Sequence, residues 1–267
     1  MEIVAPASSA NIGPGFDALG LALDLPFRVW FGDDRPMEET HPGMRAFRGA
    51  GGTGPLSWRS PIPPGRGLGF SAAARVAGLA AAVVQRGDEL DASRPEIYER
   101  ATELEGHPDN AAPSTYGGLT ISAGDRLLPL ELGLDAAVVA WVPDDWSTST
   151  DASRSRLPEM LPFADAVFNI GRTALLVGAL TTGNASALAG ATADRLHQDG
   201  RLELVPNSRA ALDVLATRSL AAWLSGSGPT VAAFVERHGV DDVDADLPEG
   251  RVLVLDVDRV GVRVVDG

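Results

Sequence analysis

The sequence predicts an α+β fold, and three observations carry that expectation. Segments of strand and helix character are mixed without the strict alternation that a doubly wound parallel sheet requires. The chain has 267 residues, 45% of them hydrophobic, enough to bury a full core in one large domain or two small ones. The apolar run AAVVAWVP at 136–143 opens a second half after a first set of strands and helices is complete.

Residues 2–7 read as a short strand and 18–31 as a longer apolar stretch of strand character. Residues 32–55, GDDRPMEETHPGMRAFRGAGGTGP, are rich in Gly, Pro and charge and read as loop with at most one short strand. LSWRSPI at 56–62 is a strand candidate. The Ala-rich stretch 70–86 predicts an apolar helix buried on most faces. A second helix is expected over 94–105, where SRPE places a proline just inside the start. GGLTISAG and LLPLEL follow as strands. In the second half, helices are expected at 151–159, 162–181, 184–197 and 206–217. SLAAWLSGSGPTVAAFVE reads as strand, glycine loop, strand, and RVLVLDVDRVGVRVV as a final pair of strands.

Composition excludes several chemistries. There is no cysteine, which removes disulfides, thiolate zinc sites and a cysteine nucleophile, and fits a cytoplasmic protein. The net charge of −14 argues against nucleic-acid partners. No 18-residue apolar run suggests a membrane span, and the start MEIVAPASSANIGPG lacks the basic segment of a signal peptide. All 22 basic residues are arginines, so a Walker-type phosphate loop and a Schiff-base enzyme, both of which need a lysine, are excluded.

Three glycine-rich segments stand out: APASSANIGPGFDALGLAL (5–23), PPGRGLGFSAA (63–73) and LSGSGPTVAAF (224–234). Singly, each also reads as turn chemistry. The second runs a glycine loop into an apolar helix, where free N–H groups and the helix dipole form a ready anion site. Together, in this order and spacing, the three resemble the motifs of the GHMP kinase superfamily, and EGHPDNAAPSTYGGL (105–119) resembles its homoserine kinase branch. The resemblance extends over most of the chain. It implies a two-domain GHMP kinase fold: an N-terminal nucleotide-binding α/β sandwich, here 1–133, and a ferredoxin-like C-terminal domain, here 134–267. It further implies ATP and Mg2+, transfer of the γ-phosphoryl group to the hydroxyl of homoserine in threonine biosynthesis, and a homodimer.

By the same resemblance, Pro63, Pro64, Gly65, Arg66, Gly67, Leu68, Gly69, Phe70, Ser71, Ala72 and Ala73 form the nucleotide cradle. Ser71 and Glu105 are the expected metal ligands, with Glu103 as the fallback. Homoserine is a zwitterion, so its site must pair a carboxylate and an amine and aim a hydroxyl. An arginine fork suits the carboxylate; Arg154, in TDASRSRLP, and Arg201, in DRLHQDGRLELVP, match the family's substrate arginines. Asn11 and Asp17 match the amine-facing positions, and His107 and Asn110 further substrate contacts. Thr150 matches a threonine near the reacting hydroxyl; Asp17 is the remaining candidate for a general base.

Two features depart from the family pattern. Phe70-Ser71 stands where the pattern has two serines, and 32–55 looks trimmed where the family carries an adenine-side helix, often starting Asp-Asn. Two functional readings therefore stand: a homoserine kinase-like phosphotransferase with a reduced nucleotide pocket or an unusual donor, and a kinase-like protein that binds a small amino acid without phosphoryl transfer. A sugar or mevalonate-type substrate fits less well, because paired arginines with Asn and Asp suit an amino acid.

Overall fold

The computed structural model describes residues 1–144, 153–243 and 246–266. Strands β1 (Glu2–Ala10) and β2 (Leu19–Phe31) pair antiparallel along most of their length, with a register shift between Pro6 and Ala7. β3 (Leu56–Arg59) pairs with the outer part of β2, and β4 (Leu119–Ala123) and β5 (Arg126–Leu130) extend the sheet. Its order is β10-β1-β2-β4-β5, with β10 (Arg263–Val265) supplied by the end of the chain.

The second sheet has the order β7-β8-β6-β9, from β6 (Ala137–Val142), β7 (Ala221–Leu224), β8 (Val231–Val235) and β9 (Arg251–Leu255). With the helices between its strands, this is the split β-α-β order of a ferredoxin-like domain. β6 is buried on both faces. Val138, Ala140 and Val142 enter the main core, while Val139 and Trp141 enter a second cluster with Leu202, Ala211 and Leu215. That explains why its sequence is apolar throughout rather than alternating.

Helix α2 (Phe70–Arg86) covers the first sheet, with α1 (Pro42–Gly49), α3 (Arg94–Glu105) and α4 (Ala111–Tyr116) around it. Its alanines allow close approach. At Gly78 an added Cβ would stand 2.1 Å from the Gly43 carbonyl oxygen, so α1 crosses α2 nearly backbone to backbone. The second half holds α5 (Phe163–Thr182), two short helices α6 (Ala185–Leu188) and α7 (Gln198–Leu202), α8 (Pro206–Arg218), and a 3-10 turn at Arg237–Asp242.

Several expectations are corrected. The segment 32–55 contains a helix, α1, with the His41 ring nitrogen accepting the Gly43 N–H at 3.1 Å and Pro42 in the first turn. Pro and Gly here start a helix and allow its close crossing, rather than marking loop. The helix expected at 184–197 breaks into α6, a turn through Gly190 (φ 70°) and a cap on α7. Of the helix expected at 151–159, described residues 155–159 form turns and bends. The two final strands form as expected, each in a different sheet: β9 joins β6 and β10 joins β1. No 18-residue apolar span was expected, yet α5 is long and apolar enough by length and composition to cross a membrane. Its Leu176, Ala179 and Leu180 are buried, while Phe163, Val167 and Ile170 are exposed.

The Phe70 ring packs in an aromatic cluster beside β2 and β3. It meets Phe27, His41 and Trp58 edge-on at centroid distances of 5.6, 5.8 and 6.0 Å, and Phe27 stacks on Trp58 at 5.2 Å. One ring thus ties the first residue of α2 to β2, β3 and the cap of α1. Phe70→Ala is expected to lower unfolding free energy by about 2 kcal/mol, less than a fully buried Phe because the ring is only half-buried. Urea unfolding checks this; an unchanged midpoint would show that the ring packs against nothing that matters.

Candidate active site

The three glycine-rich segments meet at one buried joint. Trp223 Nε1 donates to Ser9 Oγ at 2.9 Å, Ser9 and Ser225 hydroxyls are 2.7 Å apart, and Ser225 Oγ donates to Gly67 O at 2.7 Å. The proton order is forced. A carbonyl only accepts, so Ser225 gives its hydrogen to Gly67, and Ser9 gives its own to Ser225. Both serines are fully buried. An added Cβ on Gly67 (φ 76°) would lie 2.3 Å from Ser225 O, and on Gly69 (φ 66°) 2.0 Å from Ser8 Oγ. Only glycine fits this contact.

Above the joint lies a cleft of about 140 Å³ lined by all three segments, by Glu105, His107, Asp109 and Asn110, and by Arg154 and Arg201. Gly65, Arg66, Gly67, Gly69, Phe70 and Ser71 of the expected cradle border it. Leu68, Ala72 and Ala73 are buried in the core instead, and Ala73 spends its N–H on Gly69 O inside the helix. Pro63 and Pro64 do not line the cleft. Gly69 caps α2 without any side-chain hydrogen bond, so first-turn N–H groups are left for an anion. Arg66 is not a free cation: its guanidinium donates to Pro143 O and, at 2.7 Å, to Asp144 O, tying the loop to the end of β6.

The first loop is held by left-handed residues, Asn11 (φ 70°), Ile12 (φ 46°) and Asp17 (φ 55°). Non-glycine residues in that region store strain that the surroundings must fix. Asn11 does so: its Oδ1 accepts the Asp17 N–H at 3.0 Å and its Nδ2 donates to Gly226 O at 2.9 Å. Asn11 therefore shapes the loop first and offers only a remaining lone pair to the cleft. Arg154 Nη2 donates to Asp17 Oδ1 at 2.7 Å, both side chains being about one-third exposed. Arg201 is 4% exposed; its Nη1 donates to Gly226 O at 3.0 Å, and its buried Nε has no partner. Burial, then Arg154, lowers the Arg201 pKa, against the pull of Asp17, Asp109 and Asp194.

His107 and Asn110 also reach the cleft, organised by Asp109, which sequence reasoning did not single out. His107 Nδ1 lies 2.7 Å from Asp109 Oδ1, and Asn110 Oδ1 accepts from Ser8 Oγ at 2.9 Å. Phe16 was also missed; its ring stands under both arginines, 5.6 Å from Arg154 Cζ and 5.2 Å from Arg201 Cζ. Nothing in the spacing marks either residue. Thr150 lies outside the described residues.

Glu105 lines the cleft and is ion-paired with Arg75, one turn along α2 from Ser71. The oxygen that meets Arg75 is Oε1. Among the described residues no group of three or more His, Asp or Glu could hold a metal. The hard-oxygen set present is Ser71 and Glu105. That suits Mg2+, which binds through one or two protein oxygens and otherwise through waters and phosphates; any such ion must displace Arg75 from the carboxylate.

Two histidines, His197 buried and His41 half-buried, give a pH dependence. Burial lowers the pKa of His197, with Arg201 also lowering it and Asp194 raising it; burial likewise lowers that of His41, against Glu38. The unfolded chain therefore binds more protons than the native one below the ordinary histidine value of 6.5. Stability is expected to fall as pH drops from about 7 toward 5 and to be regained on return. His41→Asn, which keeps a capping acceptor, is expected to flatten part of that slope. Thermal melts across this range check it; stability that is flat or rises on acidification would mean the histidines are not held neutral.

Comparison with known proteins matches this geometry. Residues 40–118 match the family model "GHMP kinases N terminal domain" and 176–248 the model "GHMP kinases C terminal". A homoserine kinase of Thermus thermophilus is 38% identical over 96% of this chain and 96% of its own. One from Streptomyces coelicolor is 38% identical over 92% and 87%. A solved structure from Listeria monocytogenes superposes with a TM-score of 0.81 and 31% identity over 100% of this chain and 99% of that one. A mevalonate kinase of Methanococcus jannaschii, 14% identical, shares the fold with a TM-score of 0.72 over 96% and 98%. With two family models on its two halves and a relative 38% identical over nearly the full length, the chain belongs to the GHMP kinase family.

Proposed function

We propose that this protein is a homoserine kinase: it transfers the γ-phosphoryl group of ATP to the hydroxyl of L-homoserine. The observation that carries the reading is one cleft that joins a glycine loop at a helix N-terminus to the Arg154–Asp17 pair and the buried Arg201. The first half suits phosphate and the second a zwitterion. The homoserine kinase relatives over nearly the full length support the same substrate. Nothing favours the alternative of binding without transfer.

Phosphoryl transfer asks little covalent chemistry of the protein; positioning and charge neutralisation dominate. Arg201 would take the substrate carboxylate on its Nε–Nη2 edge, since Nη1 is already engaged. Arg154 would stand on the other side of it. Asp17, with one oxygen held by Arg154, would turn the other to the ammonium group, with Asn11 Oδ1 beside it. His107 and Asn110 would border the hydroxyl side, with Thr150 near the reacting oxygen. Backbone N–H groups of the loop Gly65–Gly69 and of Phe70 and Ser71 would hold the phosphates. Ser71 and Glu105 would hold Mg2+, which supplies charge neutralisation on the phosphates when bound. The same reading includes domains at 1–133 and 134–267, the terminal strand being lent back to the first sheet, a cytoplasmic homodimer, and a place in threonine biosynthesis.

ADP release from Mg-ATP is expected to depend on L-homoserine, and Arg154→Ala to lower kcat/KM about 10- to 100-fold, the value of one charge-assisted hydrogen bond. No release over hours, with homoserine binding intact, would overturn the kinase reading and leave a binding protein. For the metal ligands, Mn2+ titration followed by electron paramagnetic resonance is the check. Glu105→Gln is expected to weaken binding and Arg75→Met to strengthen it; unchanged affinity in both would sink this assignment.

A further inference from the structure

The His197 side chain is fully buried and does not line the cleft. Its Nε2 lies 2.8 Å from Gly13 O and its Nδ1 3.2 Å from Arg201 Nη1. The two contacts fix the tautomer. A carbonyl oxygen only accepts, so Nε2 carries the hydrogen; a guanidinium only donates, so Nδ1 presents a lone pair. The neutral ring satisfies both contacts at once, whereas a protonated ring would point an N–H at a cation. Burial holds it neutral.

Asp194 faces this ring without bonding it, its Oδ2 standing 3.8 Å from Nε2. That carboxylate is occupied elsewhere: it accepts the backbone N–H groups of Leu196, His197 and Gln198 and the Asn169 amide, at 2.7–3.1 Å. It caps the start of α7 and so sets where the His197 backbone stands. Phe16 packs on the other face of the ring, centroids 5.0 Å apart. The charged groups around His197 are thus Asp194, Arg201 and Asp17.

We infer that His197 is the positioning residue for substrate-carboxylate recognition: it locks Arg201 to the loop that carries Asn11 and Asp17. Gly226 O and His197 Nδ1 together consume Arg201 Nη1, which turns the Nε–Nη2 edge into the cleft. Gly13 O, held by the same ring, sets the height of the left-handed loop against that edge. The cation for the carboxylate and the acceptor for the amine are therefore spaced by one imidazole. Specificity for a small α-amino acid follows from this spacing, not from either charge alone. The inference rests on the homoserine reading.

The test uses the full chain with His197→Phe, which keeps the ring and its packing but loses both bonds, and His197→Asn, whose Oδ1 can stand near the Nδ1 position. His197→Phe is expected to raise KM for homoserine about tenfold or more, the equivalent of one lost charged hydrogen bond, with kcat and KM for ATP changed by less than about threefold. His197→Asn is expected to restore most of the homoserine KM. If the Phe variant melts too low to assay, His197→Gln, which keeps a donor for Gly13 O but not the Nδ1 acceptor, takes its place with the same expectation. Equal increases in both KM values, an unchanged homoserine KM, or an Asn variant as impaired as Phe would overturn the inference. If wild type releases no ADP, the kinase reading has failed, and calorimetric homoserine binding reads the same loss and rescue independently.

Discussion

Everything in the cleft depends on the buried relay from Trp223 through Ser9 and Ser225 to Gly67. It joins β1 of the first sheet, the turn between β7 and β8 of the second, and the glycine loop before α2. Each hydroxyl has one hydrogen and each is used in one direction only. A buried hydroxyl left without its partner costs about 1–3 kcal/mol, so the chain closes as a unit or not at all. The consequence is geometric. The phosphate-side loop and the substrate-side loop sit in one frame because both are pinned to Ser225 and its neighbour Gly226, the latter receiving hydrogen bonds from Asn11 and Arg201.

Charge is balanced around this frame rather than at single points. The cleft brings Asp17, Asp109 and Glu105 together with Arg154 and Arg201. Arg154 is answered by Asp17, Glu105 by Arg75, and Asp109 by hydrogen bonds from its own turn. Arg201 keeps a buried Nε without a partner, and burial beside Arg154 works against its charge. A ligand carboxylate would relieve that penalty, which is the physical reason a negatively charged group is drawn to this end of the cleft. A ligand ammonium would in turn share Asp17 with Arg154. Under the proposed function, mixed charge held in this way would discriminate a zwitterion from a plain acid or a sugar.

Much of this was legible in the sequence, for identifiable reasons. The helices 70–86 and 94–105 match their expected limits because an alanine-rich apolar run ends in a left-handed glycine, and because a proline stands in a first turn. Cleft residues such as Asp17, His107, Asn110, Arg154 and Arg201 lie in motifs whose order along the chain is itself informative. What failed was non-local. The stretch 184–197 has helical composition, but the Asp194 carboxylate offers its backbone N–H groups a better partner and starts a new helix at Gln198. α1 was hidden because Pro42 and Gly43 read as breakers, while the crossing with Gly78 that requires a small residue is visible only in three dimensions. The burial and pairing of His197 had no sequence signal, since DRLHQDGR shows the residue without showing Gly13 beside it.

On the proposed function, Phe70 shows how a phosphate loop would tolerate a large residue. Hydrogen bonds to an anion at a helix start come from the main chain, whose N–H groups point along the axis whatever the side chain is. The side chain at that position need only leave the axis. Here the ring leaves toward β2 and β3, where Phe27, Trp58 and His41 receive it edge-on. His41 also caps α1, so the residue that takes a hydroxyl out of the cradle puts a packing joint beneath the helix that replaces the expected loop. Ser71, the next residue, still faces the cleft within one turn of Arg75 and opposite Glu105. The loop has therefore lost a side-chain donor and kept its backbone geometry, and for an interaction dominated by backbone N–H groups and the helix dipole the geometry is the larger part.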